Sequence, residues 1–453
     1  MTTTTIPESA VFRRSFRKSF PSAVRGEGVY IYDAEGKRYL DLAGSAVVNF
    51  IGHGVPEISA AMAEQAAQLE FVHTSQFTTP VAEAYAEELL DFAGEHFRGG
   101  AVYFTSGGSE SIETALKLAR QYQVEIGQPN RHQVLSRQQS YHGSTLGALS
   151  VSGNRKRREM YLPMVKEFAH VGMPYCYRCK FDCTDSCYNC GQQYADEVEQ
   201  AIAATNGQAA AFIFEPVSGA TLGAVVPPPD YLQSVAEICR KHGVLLIADE
   251  VMTGMGRTGR NFAVDHWNIA PDILVAAKGL SSGYAPLGAV IASKKVIDTI
   301  AAGSGAFLHG FTYNAHPISV AAGRAVLRYL KTHNLVEAAD SQRPETPAHK
   351  LRKELDTLLD LPHVGDVRGI GLLLAVEFVA DRKTKDPFAV EKNFAERVGQ
   401  LAAKRGVLIY PMQGSVDGIS GDHVLVAPPA VISEEQIQWA VKELRTAIEE
   451  ATV

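Results

Sequence analysis

Five short apolar runs constrain the fold of this chain more than any other feature. They are residues 101–105 (AVYFT), 211–215 (AFIFE), 244–249 (VLLIAD), 273–277 (ILVAA) and 288–292 (GAVIA). Most are apolar at successive rather than alternate positions, so a strand made from one has no face to give to water. Between several of them the apolar period changes to that of a helix. Ile112, Ala115, Leu116 and Ala119 share one helical face, as do Leu232, Val235, Ala236 and Cys239. The second helix stops at Gly243, a natural left-handed terminator, directly before the next run. Doubly apolar strands alternating with helices predict an α/β fold with a mostly parallel central sheet.

The two ends read differently. Residues 29–32 (VYIY) and 38–40 (RYL), joined by Asp33-Ala34-Glu35-Gly36, predict a hairpin. Beyond Pro317 come a long helical pattern, a glycine-punctuated strand region at 369–376, and a charged helix after Ser433. We expect a large domain over 56–325 and a smaller α/β domain made of 1–55 and 326–453. At 453 residues the chain is long enough for both. With 43 basic and 50 acidic residues, no general positive field draws it to nucleic acid or anionic lipid. No apolar run approaches the roughly 20 residues that span a bilayer. The basic residues near the start lack the apolar stretch of a secretory signal. The expectation is a soluble, cytoplasmic protein.

Asp249 closes the most apolar strand at its C-terminal end, the edge where open α/β sheets bind ligands. Lys278 follows the next apolar strand, between small residues, where an amine can be desolvated into a nucleophile. Alone, such a lysine more often snorkels to solvent. The turn Thr105-Ser106-Gly107-Gly108-Ser109-Glu110 joins a strand to a helix and offers exposed N–H groups to an anion. Lysine, carboxylate and phosphate cup together are what pyridoxal 5′-phosphate requires: an amine for its aldehyde, a partner for its ring nitrogen and donors for its phosphate.

The run from Leu246 to Gly259 (LIADEVMTGMGRTG), Pro271-Asp272-Ile273 and Lys278-Gly279 resemble the class III aminotransferases, which are fold-type I pyridoxal-phosphate enzymes. Gly52-His53-Gly54, Tyr141-His142-Gly143-Ser144-Thr145, Glu215-Pro216, His309 to Tyr313 and Gly421-Asp422-His423 extend the resemblance along nearly the whole chain. It implies that Lys278 forms the Schiff base and moves protons, while Asp249 keeps the ring nitrogen protonated. It implies further that Tyr141 and Val251 cover the ring faces and that Gly107, Gly108 and Ser109 hold the phosphate. His142 belongs to the same cofactor site, and Glu215 comes near the phenolic oxygen; a cap or interface role is the alternative for Glu215. Thr312 matches a position that reaches the neighbouring subunit's phosphate, which implies a homodimer or larger homo-oligomer. Arg257 is expected to anchor its loop.

The resemblance implies an amine donor and a keto-acid acceptor. Small residues around Val47 suggest a roomy pocket, with Tyr410 and Met412 as walls. The segment 410–420 contains no arginine, where relatives acting on ω-amines carry a mobile one. A pyruvate-like acceptor is therefore favoured, and Arg137 and Arg260 are the available carboxylate partners. Primary amines, diamines and ω-amino acids all remain open as donors. Lyase (phospholyase included), racemase, aminomutase and decarboxylase chemistry use the same lysine and sink and also remain open, as does a non-catalytic binding role. Cys176, Cys179, Cys183, Cys187 and Cys190 cluster within an insertion at about 174–192. The pairs Cys176/Cys179 and Cys187/Cys190 only partly match zinc-ribbon spacing, so zinc, disulfides and packed thiols all stay open; no metal is assigned to catalysis.

Overall fold

The computed structural model describes residues 9–16, 18–181 and 190–453. Its centre is a seven-stranded sheet in the order Ala101–Thr105, Gly288–Ala292, Ile273–Ala276, Leu245–Asp249, Ala209–Phe214, Gln133–Arg137, His170–Val171. All neighbours run parallel except Gly288–Ala292, which is antiparallel to the strands on both sides. The double apolarity of the runs has a direct structural counterpart. Phe212, Phe214, Leu246, Ala248, Leu274 and Ala276 point into one core, and Ala211, Ile213, Leu245, Ile247, Ile273 and Val275 into the other. Successive side chains leave opposite faces of a strand, so a sheet covered on both sides needs apolar residues at every position.

Helices supply the two covers. Gly108–Glu125 buries Ile112, Ala115, Leu118, Ala119 and Tyr122 in one core, with Leu116 only partly covered. Tyr231–His242 buries Leu232, Val235, Ala236 and Cys239 in the other and ends at Gly243 in the left-handed conformation. Strand limits shift by a residue or two from the sequence reading. The run at 211–215 pairs from Ala209 and stops at Phe214, which leaves Glu215 in the turn beyond the sheet.

Both ends of the chain meet in smaller sheets. The hairpin Tyr30–Asp33 and Arg38–Asp41 is joined by Ala23–Glu27 and by Val407–Leu408, which pairs parallel to Arg38–Asp41. The glycine-punctuated stretch is not one strand but a hairpin, Val364–Ile370 with Leu373–Phe378. Gly371 makes its turn at φ +64°, and a Cβ there would lie 2.6 Å from the Thr258 backbone. That close approach brings the hairpin against the loop that follows Asp249. Among the described residues, no helix is long and apolar enough to cross a membrane.

Candidate active site

Because six of the seven strands point the same way, residues 106–109, 249–253, 277–278 and 215 all emerge at one sheet edge. The reversed strand Gly288–Ala292 contributes at that edge through the segment entering it, Tyr284 to Leu287. Apart from Glu250, these groups line one cavity of about 490 Å³ together with Val48, Tyr141, His142, Gly143 and Val217.

Asp249 is buried at the cavity floor. One carboxylate oxygen accepts from Nδ1 of the buried His142 at 2.7 Å, and the other from the backbone N–H of Val251 at 3.1 Å. A carboxylate can only accept, so the His142 proton sits on Nδ1, and the remaining ring nitrogen has no hydrogen-bond partner. Lys278 faces the cavity with its backbone at φ +45°, a region that a residue with a Cβ enters at a cost of about 1 kcal/mol or more. Burial pushes its ammonium down to about 8, against the attraction of Asp249 and Glu215. Glu215 is pushed upward, first by burial and also by the charge of Asp249, while His142 and Arg137 oppose the rise. Its carboxylate accepts from the N–H groups of Gly219 at 3.0 Å and Tyr141 at 3.4 Å.

The helix Gly108–Glu125 starts at the cavity with Gly107 as N-cap and no side-chain cap. Its first-turn N–H groups therefore remain available to an anion at the positive end of the helix dipole. A Cβ on Gly108 would press on Val251 at 3.2 Å, so the glycine lets the turn lie against the cavity wall. The Tyr141 hydroxyl pairs with Ser144 Oγ at 2.8 Å, and the Ser144 N–H donates to Ser109 Oγ at 3.0 Å. Tyr141 and the phosphate-type turn are thus one connected unit.

The structure brings together Gly107, Gly108, Ser109, Tyr141, His142, Glu215, Asp249, Val251 and Lys278. Thr312 does not line this cavity in the single chain; it is exposed. Val47 is corrected to Val48. Gly44, Ser45, Ala46 and Val47 all have positive φ, a left-handed turn that buries Val47 and leaves Val48 at the cavity. Tyr410 and Met412 also lie outside the lining. They sit on the strand Tyr410–Gln413, and Met412 faces a separate cleft with Lys156 and Asp422. Neither proposed arginine serves as a cavity cation. Arg137 is buried with its guanidinium donating to the backbone carbonyl of Glu215, and Arg260 is exposed. Arg257 is loop-anchoring: it donates to the carbonyls of Asn49 at 2.8 Å, Pro428 at 2.6 Å and Ala427 at 3.1 Å.

Sequence reasoning missed the Tyr284–Leu287 wall, because the reversal of its strand leaves no trace in apolar pattern. It also missed Met252 and Thr253, which stand in the quoted motif beside Val251. Of the cysteines, Cys183 and Cys187 lie outside the described residues, while Cys190 is buried and Cys176 and Cys179 are half-buried. Among the described residues no group of three or more His, Cys, Asp or Glu is arranged to hold a metal.

The residues present fit pyridoxal 5′-phosphate: a desolvated amine, a buried carboxylate locked by two donors, and an uncapped helix start share one cavity. The chain matches the class-III aminotransferase family over residues 12–448. It is 40% identical to the uncharacterized aminotransferase YodT of Bacillus subtilis (strain 168), across 95% of both chains. Its structure is similar to an (S)-enantioselective omega-transaminase from Thermomicrobium roseum, with TM-score 0.91 and 36% identity over 98% of this chain and 97% of the other. It is equally similar to an amine transaminase from an uncultivated Pseudomonas species in its PLP-bound form, with TM-score 0.91 and 34% identity over 99% and 100%. Cavity, sequence and architecture agree: the chain belongs to the class-III aminotransferases and its cofactor is pyridoxal 5′-phosphate.

Proposed function

We propose that this transaminase moves an amino group from a primary amine, a diamine or an ω-amino acid to a pyruvate-like keto acid. The cavity wall carries the reading. Val48, Val217, Met252, Ala285, Pro286 and Leu287 offer apolar surface to a carbon chain, and no arginine lines the cavity among the described residues. A dicarboxylate acceptor would leave its second charge buried without a partner, which is costly. The omega-transaminase and amine-transaminase activities of the two structural neighbours support the same substrate class.

Bound pyridoxal phosphate supplies an electron sink for the substrate carbon that loses its proton. We assign the rest to this chain's own groups. The first-turn N–H groups of Gly108 and Ser109, with Gly107 at the cap, hold the phosphate. Asp249, fixed by His142 and Val251, favours a proton on the ring nitrogen. Tyr141 and Val251 would cover the ring faces and exclude water, and Glu215 would face the phenolic oxygen. Nζ of Lys278 would anchor the cofactor covalently and, once released, would carry the proton taken from the substrate carbon to the cofactor's former aldehyde carbon on the same face. Thr312, exposed in one chain, completes the partner's phosphate site in a homodimer, and the protein works in the cytoplasm.

The test is a half-reaction. Holoenzyme mixed with one amine donor and no acceptor should release one equivalent of carbonyl product per site, with loss of the cofactor's visible absorbance. With pyruvate and 2-oxoglutarate as rival acceptors, kcat/KM should favour pyruvate. Catalytic turnover of the donor without an acceptor refutes transamination, and a clear preference for 2-oxoglutarate refutes the acceptor reading.

A further inference from the structure

We propose that His423 and Arg368 are positioning residues for Glu215: from the C-terminal sheet they hold the loop that keeps its carboxylate at the cavity. The bearing of that carboxylate on the cofactor rests on the function proposed above; the clamp itself rests on contacts within the protein alone.

Glu215 follows the strand Ala209–Phe214 and opens a loop, 215–225, in which every residue is buried. A buried loop needs partners for its backbone carbonyls. Within it Ser218 pairs with Val225, and the Gly223 N–H donates to the Gly219 carbonyl at 3.0 Å. Three carbonyls at its tip are met from the C-terminal sheet. Nε2 of His423 donates to Ala220 at 2.9 Å, Nε of Arg368 to Gly223 at 2.6 Å, and a terminal nitrogen of Arg368 to Leu222. Gly223, at φ +72°, permits the approach: a Cβ there would lie 2.6 Å from the His423 ring.

The two donors are themselves fixed. His423 lies on the strand Asp422–Val426, opposite Glu377 on Leu373–Phe378. Arg368, on Val364–Ile370, pairs with Glu377 at 2.6 Å and with Asp366 at 3.0 Å. Burial and then the Arg368 charge push His423 down to about 4, so the ring stays neutral. A carbonyl only accepts, so the His423 proton sits on Nε2. The clamp reaches the carboxylate in two steps. It fixes Ala220 to Gly223, and so the Gly219 N–H, which donates to Glu215 at 3.0 Å. Glu215 in turn favours the ammonium of Lys278. A carboxylate locked by N–H groups keeps its charge at one point, ready before the reaction begins.

Trace acetylation of Lys278 in the apo-protein across a pH range reads the charge that Glu215 presents. Glu215→Gln should lower the Lys278 midpoint below its value of about 8. His423→Leu should shift it the same way, by roughly half as much or more, while His423→Gln, which keeps a donor, should retain the wild-type midpoint. Glu215→Gln combined with His423→Leu should match Glu215→Gln alone, because His423 acts through that carboxylate. Arg368→Lys keeps a charge beside Glu377 but loses the fork, so it should lower the midpoint too, and it stands in if His423→Leu does not fold. A wild-type midpoint in His423→Leu or Arg368→Lys, or a double variant in which the two shifts add, overturns the positioning role. Holoenzyme tests the other reading: the pH midpoint of the cofactor's visible band should move in Glu215→Gln and, in the same direction, in His423→Leu. A band unmoved in Glu215→Gln overturns the place given to Glu215 beside the phenolic oxygen.

Discussion

The Lys278 amine offers the most direct test of the site's electrostatics. Burial brings it from the ordinary 10.5 to about 8 in the protein without cofactor. At pH 7 about one amine in eleven is then uncharged, against about one in 3,000 at the ordinary value, a gain of about 300-fold in nucleophile. Trace acetylation of the apo-protein across pH 6–11, read by mass spectrometry on the Lys278 peptide, reports this directly. Reactivity should rise through a midpoint near 8 and then level. Asp249→Asn sharpens the test. Asp249 is the largest of the attractions that favour the ammonium, so its removal should move the midpoint lower still. A Lys278 profile still climbing beyond pH 10, or a midpoint that rises in Asp249→Asn, would refute the argument that desolvation activates this amine.

Three further outcomes are expected. Lys278→Ala should abolish turnover while leaving a folded protein by circular dichroism; full transamination in that variant contradicts the assignment. Arg257→Met strands carbonyls from Asn49, Ala427 and Pro428 and should cost about 3–5 kcal/mol in urea denaturation, so an unchanged midpoint would show the anchor to be dispensable. Burial pushes buried Glu377 up, but Arg368 and then Arg178 outweigh it and hold the carboxylate below its ordinary 4.5. A depressed acid stabilises the fold above its unfolded value and loses that contribution as pH falls through the folded one. Stability should therefore drop below about pH 4.5, and Glu377→Gln should show a flatter acid limb and a loss of roughly 3–5 kcal/mol at pH 7.

The sequence alone determined the central sheet, because strands buried on both faces cannot be built from any other pattern. Ala101–Thr105 and Gly288–Ala292 were legible to the residue. It also determined the chemistry of the floor: Asp249 and Lys278 end neighbouring strands, and a strand's C-terminal end is a position that sequence order fixes. What it left out depends on direction and on hand. Gly288–Ala292 is as apolar as its neighbours, but apolarity is the same read either way, so the wall from Tyr284 to Leu287 was invisible. The left-handed turn at Gly44–Val47 exchanges Val48 for Val47 at the cavity. Asp41 holds that turn through Ser45, and Arg257 holds its exit through the carbonyl of Asn49. The first contact is local, but the second joins residues 208 apart in the chain. Periodicity reports which side of an element is buried; which residue faces a cavity is decided where separate elements meet.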